Sequence, residues 1–127
     1  MRMLTILCID DEALGLQVRR AVLERAGFQV LTATNGKTGI SLFKENRIDA
    51  VLLDYLMPEM DGGEVAITIR NLKPEVPILL HSACVDLPHQ VLNLVNATLA
   101  KGDGAETLIH RLHQVIEETK PQSENSR

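Results

Sequence analysis

The fold is decided by Asp49-Ala50-Val51-Leu52-Leu53-Asp54-Tyr55-Leu56-Met57-Pro58-Glu59-Met60-Asp61-Gly62. Four apolar residues, Ala50 to Leu53, stop at a carboxylate. Pro58 and Asp61-Gly62 then force a loop. A run this short and apolar predicts a strand buried on both faces, the pattern of a parallel sheet. Asp54 then stands where that strand emerges, the end at which open parallel sheets bind ligands. Many such residues only cap the next turn, so the other strand ends must decide what Asp54 does.

Working outward, Leu4 to Ile9 is a second run of this kind and ends in Asp10-Asp11-Glu12. A helix is expected from about Glu12 to Ala26, with Leu14, Val18, Ala21 and Val22 on its inner face. Gly27 stops it, and Phe28 to Ala33 is a strand. Asn35-Gly36 is a turn or helix start, and the helix to about Glu45 carries Ile40 and Phe43 inward. Beyond the central stretch, Gly63 to Leu72 places Val65, Ile69 and Leu72 at helical spacing. Ile78 to Leu80 is a fourth strand, followed by His81-Ser82-Ala83. Pro88 to Val95 predicts a short helix, and Ala97 to Ala100 a weaker strand ending in Lys101-Gly102. Asp103 with Glu106 reads as a capping box. The helix it starts has a stripe of Ala105, Leu108, Ile109, Leu112, Val115 and Ile116. Pro121 ends it, and a disordered tail is expected over 120–127, leaving 1–119 as one domain.

Five strands alternating with five helices predict an α/β fold, a doubly wound parallel sheet with helices on both faces. For five strands the order 2-1-3-4-5 is the natural choice. The chain's 127 residues suit one core, and 45% apolar residues suffice to fill it. A net charge of −4 gives no support to nucleic-acid binding. No apolar run has the length of a membrane span, and the N-terminus turns acidic too soon for a signal peptide. A cytoplasmic protein is expected. Cys8 reads as a small core residue. A disulfide to Cys84 is not expected, because in the expected order strands one and four lie two spacings apart, roughly 9–10 Å, against the limit of about 7 Å for a disulfide. Arg19, Arg20, His110 and His113 read as solvated.

In that order the strand ends gather Asp10, Asp11 and Asp54, with Ser82 and Lys101 from the next strands. Crowded carboxylates must take a proton or hold a cation. Oxygen ligands without His or Cys suit a hard ion, and Mg²⁺ prefers one or two carboxylates, waters and a phosphate oxygen. A hydroxyl and an ammonium complete a clamp for a phosphoryl group. A carboxylate beside the metal can be the nucleophile, and Asp54, alone at the central strand end, is the best candidate.

With these residues in place the chain resembles the receiver domain of two-component response regulators, in the stand-alone, chemotaxis-regulator-like form. The resemblance runs from Met3 to about Glu118. It rests on Cys8-Ile9-Asp10-Asp11-Glu12, on Leu53 to Gly62, on His81-Ser82-Ala83 and on Ala100-Lys101-Gly102. It implies a switch that catalyses only its own phosphorylation and dephosphorylation. Asp54 would accept the phosphoryl group from a sensor histidine kinase or phosphotransfer protein. Asp11, Asp54 and the backbone carbonyl of Leu56 would bind Mg²⁺, and Asp10 would act through water. Ser82 would bind the phosphoryl group, and Lys101 would pair with the carboxylate and phosphoryl oxygens. With no output domain after Pro121, the signal would pass to a protein partner or a self-dimer. The family's Pro after the lysine is Gly102 here, its aromatic three residues before the lysine is Thr98, and Ile67 and Gly63 also depart from its pattern. Two rivals compete: an inert interaction module, and a Mg²⁺-dependent aspartyl-phosphate phosphatase. The second lacks its usual acid two residues after the nucleophile, where Leu56 stands.

Overall fold

Each apolar run forms a strand, and each amphipathic stretch a helix. The computed structural model describes residues 2–83 and 86–119. The elements in order are β1 (Thr5–Ile9), α1 (Ala13–Arg25), β2 (Gln29–Ala33), α2 (Gly36–Glu45) and β3 (Ala50–Leu53). They continue with α3 (Gly62–Leu72), β4 (Ile78–Ser82), α4 (His89–Leu92), β5 (Ala97–Ala100) and α5 (Ala105–Glu118). All strand pairings are parallel and the order is β2-β1-β3-β4-β5, the doubly wound arrangement expected. The expected tail and Cys84 lie outside the described residues; Cys8 is buried and free.

The sheet divides the core in two by strand alternation. Leu7, Ile9, Val51, Leu53, Ile78 and Leu80 face one way, against Phe43 of α2 and Val65 and Ile69 of α3. Ile6, Cys8, Ala50, Leu52 and Leu79 face the other, against Leu16 and Leu23 of α1 and Leu108 and Leu112 of α5. The three central strands are buried along their whole length. Gly39 lets α2 lie close, since a Cβ there would come within 2.5 Å of the Ile9 side chain.

Several helix expectations need correction. On α1, Leu14 and Val18 are exposed, at 74% and 59%, and the buried residues are Leu16 and Leu23. The helix carries two apolar stripes on opposite sides, and the one containing Arg19 turns inward. On α3, Ala66 is buried with Val65 and Ile69, whereas Leu72 at the last turn is exposed. The short helix spans His89–Leu92 only. The capping box at α5 does not form: Gly104 is the N-cap, without a side-chain bond. Asn35 and Asp61 cap α2 and α3, accepting from the Thr38 and Glu64 amides at 2.8 and 3.0 Å; the cap at Asp61 was not expected. His113 is not simply solvated, since its ring packs on Phe28 at 4.9 Å between centroids.

Candidate functional site

Strand register brings the site together. Ile9 pairs with Leu53, and the Asp54 amide donates to the Ile9 carbonyl at 2.9 Å. Asp10 and Asp54 therefore leave the sheet side by side. Ser82 pairs with Ala100, and the Lys101 amide donates to the Ser82 carbonyl at 3.1 Å. Gly62 closes the loop after β3: its amide donates to the Tyr55 carbonyl at 2.8 Å, and a Cβ there would sit 2.5 Å from the Asp54 carbonyl oxygen. The backbone behind Asp54 is thus fixed by a close approach that only glycine allows.

Asp10, Asp11 and Asp54 each bring a ligand oxygen within 4.8 Å of the others. Asp10 and Asp54 are buried and Asp11 is exposed. Lys101 reaches into the cluster, with Nζ 2.9 Å from Asp10 Oδ2 and 3.3 Å from Asp54 Oδ1. Ser82 is buried at the end of β4. Leu56, two residues past Asp54, turns its side chain to solvent, 60% exposed.

The sequence reading missed two residues of this region. Arg19, expected in solvent, has a side chain only 14% exposed and forms an ion pair with Asp10 Oδ2. His81 is buried. Residue alternation puts it on the same side of the sheet as Leu79, towards α1 and α5. Cys8, Asp10, Leu16, Arg19, Leu52 and His81 share one small pocket there. The available signal was the i, i+3, i+7 spacing of Leu16, Arg19 and Leu23, which places the arginine on a buried face.

The charges split the two buried aspartates. Burial raises the pKa of both. For Asp10 the Glu12 amide, Lys101 and Arg19 outweigh it, and the net shift is down. For Asp54 the neighbouring Asp10 adds to burial, Lys101 compensates only in part, and the net shift is up. For Lys101, burial acts downwards, but Asp10 and Asp54 prevail and raise it. Burial pushes the Cys8 thiol up to about 12, so it is inert as a nucleophile. An all-oxygen set of three carboxylates, one of them raised by burial and by its neighbour's charge, has the chemistry that a hard divalent cation relieves. The residues present fit Mg²⁺.

The response regulator receiver domain model matches residues 6–113. The chain belongs to the response regulator receiver family. It is 32% identical over 119 residues to the response regulator MprA of Mycobacterium sp. strain KMS, covering 91% of this chain and 52% of that protein. The chain thus spans about half the length of the curated relatives it matches first. A receiver domain from Clostridium thermocellum superposes with a TM-score of 0.84 at 30% identity, covering 91% of this chain and 96% of that one. The response regulator TrrA from Thermotoga maritima, in complex with Mg²⁺ and BeF, gives 0.82 at 28% identity, covering 89% and 99%. Receiver domains are phosphorylation-dependent switches of two-component signalling that act with sensor kinases or phosphotransfer proteins. They bind Mg²⁺ through acidic residues. Among the described residues no helix of this receiver domain is long and apolar enough to cross a membrane.

His81 makes the stability of this receiver domain pH-dependent. Burial, with Arg19 and Lys101 adding to it, lowers its pKa to about 4, against an unfolded value of about 6.5. The folded state keeps the imidazole neutral, so its contribution is present above pH about 6.5 and is lost as pH falls towards 4. Unfolding free energy from urea melts should drop by about 1.5 kcal/mol more between pH 6.5 and 5 in wild type than in His81→Leu. Equal pH slopes in the two proteins would contradict this.

Proposed function

We propose that Asp54 is the phosphoacceptor of this receiver domain, taking the phosphoryl group from a phosphohistidine of a sensor kinase or phosphotransfer protein. The supporting observation is how the two buried carboxylates are committed. Asp10 Oδ1 accepts the Glu12 amide at 2.9 Å, and Oδ2 accepts Lys101 and Arg19. Both its oxygens are engaged by donors. Among the described residues Asp54 pairs through Oδ1 with Lys101, at 3.3 Å, and its raised pKa marks a more basic oxygen.

In the reaction an Asp54 oxygen forms a bond to phosphorus as the donor's P–N bond breaks, and the histidine nitrogen leaves with the electron pair. Asp11, Asp54 and the Leu56 carbonyl would hold Mg²⁺ directly, and Asp10 would act through water. The bound ion supplies charge neutralisation for the carboxylates and the transferring oxygens. Lys101 lies between Asp10 and Asp54, placed to move onto the new acyl phosphate. Ser82 is the hydroxyl that takes a phosphoryl oxygen and carries the change to the surface. Thr98 lines a groove of about 490 Å³ beside Ser82, with Leu80, Leu87 and Leu99. That face is the proposed contact for a downstream protein or a second copy. On this reading the protein is cytoplasmic, has no other substrate and catalyses only its own phosphorylation and dephosphorylation.

Incubation with acetyl phosphate and Mg²⁺ should add one phosphoryl group to the intact mass. Asp54→Asn, nearly isosteric but a poor nucleophile, should add none while keeping the wild-type fold. A full mass gain in that variant would place the acceptor elsewhere.

The phosphorylated state should be long-lived. Hydrolysis needs a water held opposite the Asp54 oxygen, and the solvent-facing Leu56 side chain offers that water no hydrogen bond. Asn at this position can orient it, and positioning effects reach about a hundredfold. The decay rate of phosphorylated Leu56→Asn with Mg²⁺ should exceed that of wild type by about tenfold or more. An unchanged or slower decay would remove the basis for this expectation.

A further inference from the structure

Arg19 reaches the site from α1. Leu16 and Leu23, 3% and 0% exposed, bracket it on the inner face of α1. Its stem therefore runs along the sheet, and its guanidinium meets Asp10 Oδ2, which also takes Lys101. A guanidinium withdrawn from water is costly unless paired and hydrogen-bonded, and here the pairing is with a residue of the carboxylate cluster itself. The carboxylates of Asp10, Asp11 and Asp54 stand against the cations of Lys101 and Arg19. Among these five groups one net negative charge remains, and without Arg19 there would be two; the Glu12 carboxylate also lies near the guanidinium, their atoms 3.0 and 3.4 Å from where a Gly15 Cβ would sit.

We infer that Arg19 is a built-in counter-cation of the phosphorylation site. Pairing with Asp10, it lowers the negative charge that Mg²⁺ would meet and keeps metal affinity low until a phosphoryl group adds its own charge. The inference rests on the assignment of this cluster as the Mg²⁺-dependent phosphoacceptor site. It makes Arg19 a positioning residue: it acts on the metal through Asp10 and the local field. A purely structural arginine would, when removed, loosen the site and weaken the metal. A counter-cation would, when removed, destabilise the metal-free protein yet tighten the metal.

The test is calorimetric titration of the full chain with Mg²⁺, beside metal-free and Mg²⁺-loaded melting temperatures. The variants are Arg19→Gln, Arg19→Met, Arg19→Lys and, as a control, Asp11→Ala. Arg19→Gln keeps a hydrogen-bond donor for Asp10 and decides the matter if Arg19→Met does not fold. Removing one positive charge from a partly buried site should tighten Mg²⁺ by about tenfold or more. Both neutral variants should show this, with a larger rise in melting temperature on adding Mg²⁺. Arg19→Lys should stay within about threefold of wild type, because the charge is kept. Unchanged or weaker binding in the folded neutral variants overturns the inference, as does an absence of measurable binding in every variant. Mg²⁺ binding that survives Asp11→Ala unchanged means that the ion sits elsewhere, and the site assignment falls with the inference. Binding lost in Asp11→Ala but indifferent to Arg19→Gln leaves the assignment standing and removes Arg19 alone.

Discussion

Three carboxylates, Asp10, Asp11 and Asp54, reach within 4.8 Å of one another at the end of a buried sheet, and their mutual repulsion shapes what surrounds them. Like charges this close cannot all stay ionised unless cations or donors compensate them. Asp10 receives compensation first, from the Glu12 amide, Arg19 and Lys101, and stays anionic. Asp54 receives less and is pushed up. A basic oxygen is thereby left beside an anion that is fully engaged. The asymmetry separates two chemically identical groups into one whose pKa falls and one whose pKa rises.

The same constraint explains the polar residues inside the α1 side of the core. A sheet buried on both faces has no water to offer a charge. The compensating cations must therefore come from the elements packed on it: Arg19 from α1 and Lys101 from the end of β5. His81 sits in this layer and is held neutral by burial and by those cations. The opposite layer, around Phe43, Val65 and Ile69, is built of apolar side chains.

The sheet, its order and the gathered acidic residues were legible because strand runs and their terminal residues are local signals. Ala50 to Leu53 and Leu4 to Ile9 read as buried strands, and each ends in the expected carboxylate. Asn35 caps α2, in keeping with its reading as a turn or helix start, whereas Asp61, which reads only as part of a loop, also caps α3. The face of α1 was not legible. Leu14 and Val18 form as good an apolar stripe as Leu16 and Leu23, and hydrophobic patterning counts Arg19 against the stripe that is buried. The Asp10 carboxylate just past β1 gives the arginine a reason to turn inward, and that pairing spans two elements. His81 was hidden similarly: its neighbour Ser82 drew the functional reading, while alternation alone placed the imidazole in the core. At α5 the Asp103–Glu106 spacing suggested a cap that Gly104 replaces.

The central claim is that Asp54, set apart from Asp10 by unequal compensation, is the oxygen that takes the phosphoryl group with Mg²⁺ beside it. Fluorine NMR with beryllofluoride, a phosphoryl mimic that bonds to a carboxylate oxygen, tests it most directly. Wild-type protein with Mg²⁺ should show protein-bound fluorine resonances that disappear when the metal is chelated and are absent in Asp54→Asn. Bound resonances persisting in Asp54→Asn, or none from folded wild type with Mg²⁺ present, would contradict the account.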